Sequence, residues 1–215
     1  MKKVISIFLL YFLFVLPSNA QSHFFKNADF ETIAENHETI AILPFLTRVT
    51  LRPSQMENLS SGELASLEKQ EGESIQKAIF GWFREHGEKG KIAVKVQDPG
   101  ITNRKLNTAG ISLENHQDFN PSQLAAVLGV DAIVTGSFET NQPLAGYSKD
   151  SNGDLPKISP ENSLAFINLL IYNAEDGELL VQFHNGIYGY KANLNEAIIH
   201  ALLKKVSRKM VYSKI

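Results

Sequence analysis

The stretch Leu128-Gly129-Val130-Asp131-Ala132-Ile133-Val134-Thr135-Gly136-Ser137-Phe138 most constrains what this chain can fold into. It combines a helix stop at glycine, an aspartate at the corner, and a strand of small and β-branched residues. A helix followed immediately by an apolar strand is the unit of α/β folds, in which helices cover a sheet on its faces. Upstream, Asn120-Pro121 supplies a cap and a proline at the first helical turn. Leu124, Ala125 and Leu128 then mark the buried side of that helix.

The other elements follow from periodicity. Glu38 to Thr47 reads as a first strand, with Pro44 bending or ending it because proline donates nothing to a ladder. Ser60 with Glu63 forms a capping box that opens a long helix. Its stripe runs through Leu64, Leu67, Ile75, Ile79, Trp82 and Phe83, with Gly72 weakening its middle and Gly87 placed to end it. Ile92, Val94 and Val96 alternate with polar neighbours as a second strand closed by Pro99-Gly100, and a short helix is expected near Asn103 to Ala109. After the third strand, Ala132 to Thr140, comes a polar segment, Asn141 to Asn162. Ser163 to Tyr172 and Leu179 to His184 then make an antiparallel hairpin about Glu175-Asp176-Gly177. Asn193 and Glu196 open a closing helix with Ile199, Leu202, Leu203, Val206 and Met210 on one face. The expected architecture is an α/β sandwich with one mixed sheet of about five strands, in the order β-α-β-(α)-α-β-β-β-α.

The start of the chain reads as an address. Lys2 and Lys3 precede an apolar run, Val4 to Leu16, and Pro17 breaks it. Ser18 and Ala20 put small residues where a signal peptidase reads, so cleavage is expected between Ala20 and Gln21. The run is too short for a membrane span, which needs roughly 20 residues. The division expected is therefore a signal peptide over 1–20, a loose arm over 21–37 and a single domain over 38–215. Of 21 basic residues, Lys2 and Lys3 leave with the signal, so 19 remain against 23 acidic ones, a net charge of −4. That balance argues against a nucleic-acid surface, which concentrates Lys and Arg. The chain has no cysteine, which excludes disulfides, a thiol nucleophile and the acylated cysteine of a lipoprotein. The expectation is a periplasmic or secreted protein, not a lipoprotein, with no stable membrane span after cleavage.

Beside these elements stands a resemblance. Ile40-Ala41-Ile42-Leu43-Pro44-Phe45, Leu128 to Ser137 and the looser turn Asn173 to Gly177 resemble the opening strand, the "LGVD…VTGS" element and the hairpin turn of a group of bacterial envelope domains. The group includes the TolB amino-terminal domain, the curli secretion protein CsgG and the lipoprotein activator of penicillin-binding proteins. The resemblance implies a non-catalytic interaction domain whose partner is another envelope or secreted protein.

Chemistry competes weakly with that reading. Asp150, Asn152 and Asp154 occupy positions one, three and five of a loop whose position twelve is Glu161, the spacing by which EF-hand-like loops wrap calcium. Leu155 stands where such loops place glycine, and Pro156 and Pro160 stiffen the rest. The six histidines, at 23, 37, 86, 116, 184 and 200, form no metal-binding pair, although His116 and Asp118 sit close in sequence. No serine lies in a G-x-S-x-G elbow. No catalytic residue and no cofactor is expected. The expected partner surface is Tyr147 and Lys149 in the polar loop with Tyr188 and Tyr190 after the last strand. Two alternatives remain: a calcium-dependent module or small secreted enzyme using that loop, and an oligomeric secretion or assembly component.

Overall fold

Two strands of this protein lie end to end because Pro44 interrupts what would otherwise be one. The computed structural model describes residues 23–51, 53–57, 59–141, 164–188 and Tyr212. In chain order these form β1 (His23–Lys26), α1 (Phe30–Ala34), β2 (Thr39–Ile42), β3 (Leu46–Val49), α2 (Pro53–Met56) and α3 (Ser61–Glu88). β4 (Lys95–Val96), α4 (Pro99–Thr108), a 3₁₀ turn (His116–Asp118), α5 (Pro121–Leu128), β5 (Ala132–Thr140), β6 (Leu164–Asn173) and β7 (Leu179–Tyr188) follow. The sheet runs β1-β7-β6-β5-β2-β4, with β3 also paired to β5. β4, β2, β3 and β5 are parallel; β6, β7 and β1 join antiparallel.

The described sheet therefore has seven strands, not about five. One extra strand arises at Pro44: β2 pairs with 132–134 and β3 with 137–140 along the same side of β5. The other is His23–Lys26, in the segment expected to be a loose arm, which pairs with Val181–His184 of β7. Phe30 of α1, in the same segment, is buried. The closing helix expected from Asn193 lies outside the described residues, as does the signal segment.

Alternation along the strands separates two cores. Ile40, Ile42, Ala132, Val134 and Phe138 face α3, where Ile75, Ile79, Trp82 and Phe83 meet them. Ala41, Leu43 and Ile133 face the other way, against Leu106 of α4 and Leu124, Ala125 and Leu128 of α5. Strands buried on both faces explain the nearly continuous apolar runs in the sequence. The caps match expectation at two helices: Ser60 and Glu63 form the capping box of α3, and Asn120 caps α5, where Gln123 adds a box partner that the sequence reading does not include. Pro99 departs from it. Instead of closing a strand it opens α4, because Asp98 accepts the Gly100 N–H at 2.8 Å and caps the helix.

Phe45 fills the gap between β2 and β3. Its N–H reaches the Gly72 carbonyl of α3 at 3.3 Å. A Cβ at Gly72 would stand 2.1 Å from the Phe45 carbonyl oxygen, and one at Gly136 would stand 1.9 Å from the Asn168 oxygen and 2.7 Å from the Phe45 ring. Gly72 is thus required by close approach, whereas a Cβ at Gly81 in the same helix meets nothing within 4 Å. Gly72→Ala should destabilise the protein by about 1–3 kcal/mol through overpacking. Gly81→Ala should stabilise it by roughly 0.5–1 kcal/mol through helix propensity. Urea unfolding of the two variants checks this, and equal midpoints would refute the close-approach account.

Candidate functional site

Asp131, the last residue of the "LGVD" element, sits at the corner between α5 and β5, after Gly129 has ended the helix in the left-handed conformation. Its carboxylate accepts the N–H groups of Glu38 at 2.9 Å and Thr39 at 2.8 Å. Its own N–H donates to the Thr39 carbonyl, and its carbonyl accepts from Ala174. One aspartate thereby ties the start of β2, the start of β5 and the turn after β6. Lys105 and Gln97 donate to the Leu128 carbonyl and complete the end of α5.

Beside this corner runs a hydrogen-bond relay. Asn173 donates through Nδ2 to Asp176 at 3.0 Å, which leaves its Oδ1 to accept from His37 Nε2 at 3.1 Å. His37 Nδ1 is then an acceptor, and the Tyr212 hydroxyl donates to it at 2.8 Å. Tyr212 is buried edge-on against Phe30, with ring centroids 5.5 Å apart, and its carbonyl accepts from Ala93. Burial, aided by the Asp131 charge, pushes its phenol well above the ordinary tyrosine range. Both imidazole nitrogens are engaged, one by the Tyr212 hydroxyl and one by Asn173. The arrangement holds chain segments together.

A shallow cleft of about 590 Å³ opens next to the relay, lined by Thr32, Asn36, Ser122, Asp131, Glu175 and Asp176. Asp131 and Asp176 already accept backbone hydrogens, Asp176 from Glu178 at 2.8 Å.

The opposite end of the β5–β6 pair carries the root of the long polar segment. The ladder runs from Ala132↔Asn173 to Thr140↔Ala165. It is then locked by three bonds: Asn141 N–H to the Leu164 carbonyl at 3.2 Å, Leu164 N–H to Asn141 Oδ1 at 2.9 Å, and the Thr140 hydroxyl to the Leu164 carbonyl at 3.2 Å. The chain leaves and re-enters the sheet at one closed gate.

Of the residues singled out from sequence, Asp150, Asn152, Asp154, Glu161, Tyr147, Lys149 and Tyr190 lie outside the described residues, as do Ala20 and Gln21. Tyr188 ends β7 opposite Leu164. His116 bonds the Leu113 carbonyl through Nδ1 instead of Asp118, His86 bonds the Trp82 carbonyl, and His184 stacks on Phe166. Among the described residues no group of three or more His, Asp or Glu could hold a metal ion, and no helix is long and apolar enough to cross a membrane. The relay of His37, Asn173 and Tyr212 escaped sequence reading because its members are 175 residues apart and follow no motif.

No family model matches the chain, and no curated protein matches it. Its fold is similar to lipoprotein GNA1162 from Neisseria meningitidis, at 11% identity and TM-score 0.43, over 80% of this chain and 99% of that one. It is similar to the LpoB C-terminal domain from Salmonella enterica at 8% identity and TM-score 0.32, over 74% and 95%. TolB from Acinetobacter baumannii aligns at 11% identity and TM-score 0.28, over 88% of this chain and 32% of that one. At such scores no residue, partner or activity carries over to this chain. The grouping with CsgG rests on the sequence motifs alone, and the absence of an acyl anchor has no support among neighbours that include a lipoprotein.

Because the Tyr212 phenol is raised in the folded state, it favours the fold fully below the unfolded tyrosine value of about 10, and that contribution is lost as pH rises beyond it. The thermal midpoint should therefore fall above about pH 10. Tyr212→Phe should lower the midpoint at neutral pH, by losing the bond to His37, and flatten the alkaline decline. An alkaline decline unchanged in Tyr212→Phe would refute this account.

Proposed function

We propose that this protein is an exported, non-enzymatic interaction domain of the bacterial cell envelope, and that it captures a protein partner through the polar segment between β5 and β6. The observation that carries the reading is the gate at Thr140, Asn141 and Leu164. Both ends of a 22-residue excursion (142–163) are pinned at one point of a complete ladder, so the excursion is free to vary in sequence without cost to the strands beneath it. Its composition, rich in Pro, Gly, Ser, Asn and Asp, suits recognition rather than core packing. Tyr147 and Lys149 within it, with Tyr188 at the end of the neighbouring β7 and Tyr190 two residues on, would supply aromatic and charged contacts of the kind that dominate interface energetics. The described polar groups of the opposite end are consumed in holding Asp131, His37 and Tyr212 in place, which favours scaffold over catalyst.

Replacing 142–163 by Asn-Gly, the dipeptide favoured in two-residue hairpins, should join Asn141 to Leu164 without strain. The thermal midpoint should stay within a few degrees of wild type, because the gate and not the excursion closes the ladder. In-cell crosslinking of the exported protein should lose its partner band in this variant. A well-folded deletion that still crosslinks would reject the loop as the capture surface. Calorimetry with Ca²⁺ on the full chain tests Asp150, Asn152, Asp154 and Glu161, and the proposal expects no heat.

A further inference from the structure

At the carboxyl end of β2 the chain makes a topological switch. From β2 it crosses through α3 over one face of the sheet to β4, and from β4 it returns through α4 and α5 over the other face to β5. Neighbouring connections that leave to opposite faces open a crevice at the strand ends, where open α/β sheets bind ligands. Here that crevice exists. It lies between α3, α4 and the loop from Ile111 to His116, with a volume of about 80 Å³ and a floor of Leu43, Leu106, Ile111 and Leu113.

Its inner wall is fixed by an amide pair, Gln76 buried and Asn103 half-buried. Gln76 of α3 donates to the Ile42 carbonyl at 2.7 Å and to Asn103 Oδ1 of α4 at 2.9 Å, and Asn103 donates back to Gln76 Oε1 at 3.0 Å. This reciprocal bridge spans the end of β2 and holds the two helices apart at a set distance.

The rim carries opposite charges that do not touch. Lys69 and Glu73 stand one turn apart on α3, and Glu114 stands across on the loop. The ion pairs among the described residues are Lys26–Glu31, Arg84–Glu88 and Lys89–Glu85, so neither Lys69–Glu73 nor Lys69–Glu114 closes to 4.0 Å. Glu114 is held below the ordinary carboxylate range, chiefly by the Ser112 hydroxyl, with Lys69 and His116 adding smaller effects. His116 donates Nδ1–H to the Leu113 carbonyl at 2.8 Å, and in that tautomer Nε2 is an acceptor. The rim thus offers one ammonium and three acceptors above an apolar floor.

We propose that this crevice binds a small zwitterion, a short-chain α-amino acid whose ammonium lies among Glu73, Glu114 and His116, whose carboxylate meets Lys69, and whose side chain rests on Leu43, Leu106 and Ile111. The volume matches: a water needs only about 10–15 Å³ of such space, so 80 Å³ takes a ligand of about six heavy atoms. Charge matches as well, because a ligand with separated charges can meet Lys69 and the carboxylates together, groups that do not pair with one another in this structure. None of the residues lining the crevice belongs to 142–163.

The test uses the full exported chain and L-alanine as probe, followed by amide chemical shifts and calorimetry up to about 20 mM, a range that detects affinities near 1 mM. Saturable shifts are expected at Leu113 to His116 and around Lys69. Acetate and ethylamine, each carrying one of the two charges, should bind at least about tenfold more weakly. Lys69→Met and Glu114→Gln change exposed side chains, so the fold should persist while each lowers affinity at least about tenfold. The proposal is overturned if L-alanine gives no saturable shift, if acetate or ethylamine binds as tightly, or if neither variant weakens binding.

Discussion

Phe45 is wedged where a helix and a sheet come closest, and the remaining geometry is arranged around it. Pro44 removes the N–H that a continuous strand would need, so the chain breaks from β5 for a few residues between β2 and β3. The break lets Phe45 turn inward, fully buried, with its ring where a side chain of residue 136 would otherwise stand and its carbonyl against Gly72. Two glycines far apart in sequence accommodate one residue, Gly72 its carbonyl and Gly136 its ring. Without them α3 would ride higher on the sheet, and Ile75, Ile79 and Phe83 would lose the contacts that make the larger core.

A second constraint acts at the amino ends of the parallel strands. Asp131 replaces the missing hydrogen-bond partners of Glu38 and Thr39, and it does so with a charged acceptor, which makes stronger bonds than a neutral one. The relay through His37 and Asn173 then fastens Tyr212 to the same region, so residues from four separate parts of the chain converge on one corner. Burying this many polar groups is tolerable only because each of these donors has an acceptor.

Local signals made much of this legible. The capping box at Ser60, the Asn120 cap, the helix stop at Gly129 and the strand from Ala132 are legible from residues within four positions of one another. Pro44 was legible as a break, but not as the junction of two strands on one partner, because pairing to β5 is a tertiary fact. His23–Lys26 was read as a loose arm because four residues with little alternation become a strand only when β7 offers an edge. Gly72 looked like a weakness in α3, since its purpose lies in Phe45, 27 positions away. The crevice was illegible for the same reason: Lys69, Glu73, Asn103 and His116 belong to three elements that only the crossover order brings together.

The two ends of the parallel strands therefore differ in kind. At the amino ends, described side chains are spent on joining β2, β5 and the β6 turn, so a change there alters the fold before it alters anything else. At the carboxyl ends the ladder closes on itself at Thr140 and Leu164, and the Gln76–Asn103 bridge closes the helix gap, before the excursion or the crevice rim begins. Phe45 and Asp131 hold the sheet through contacts that involve neither the gate nor the crevice rim. Two surfaces at one end, rooted in separate closures, can also change independently, because neither the gate nor the amide bridge shares a residue with the other.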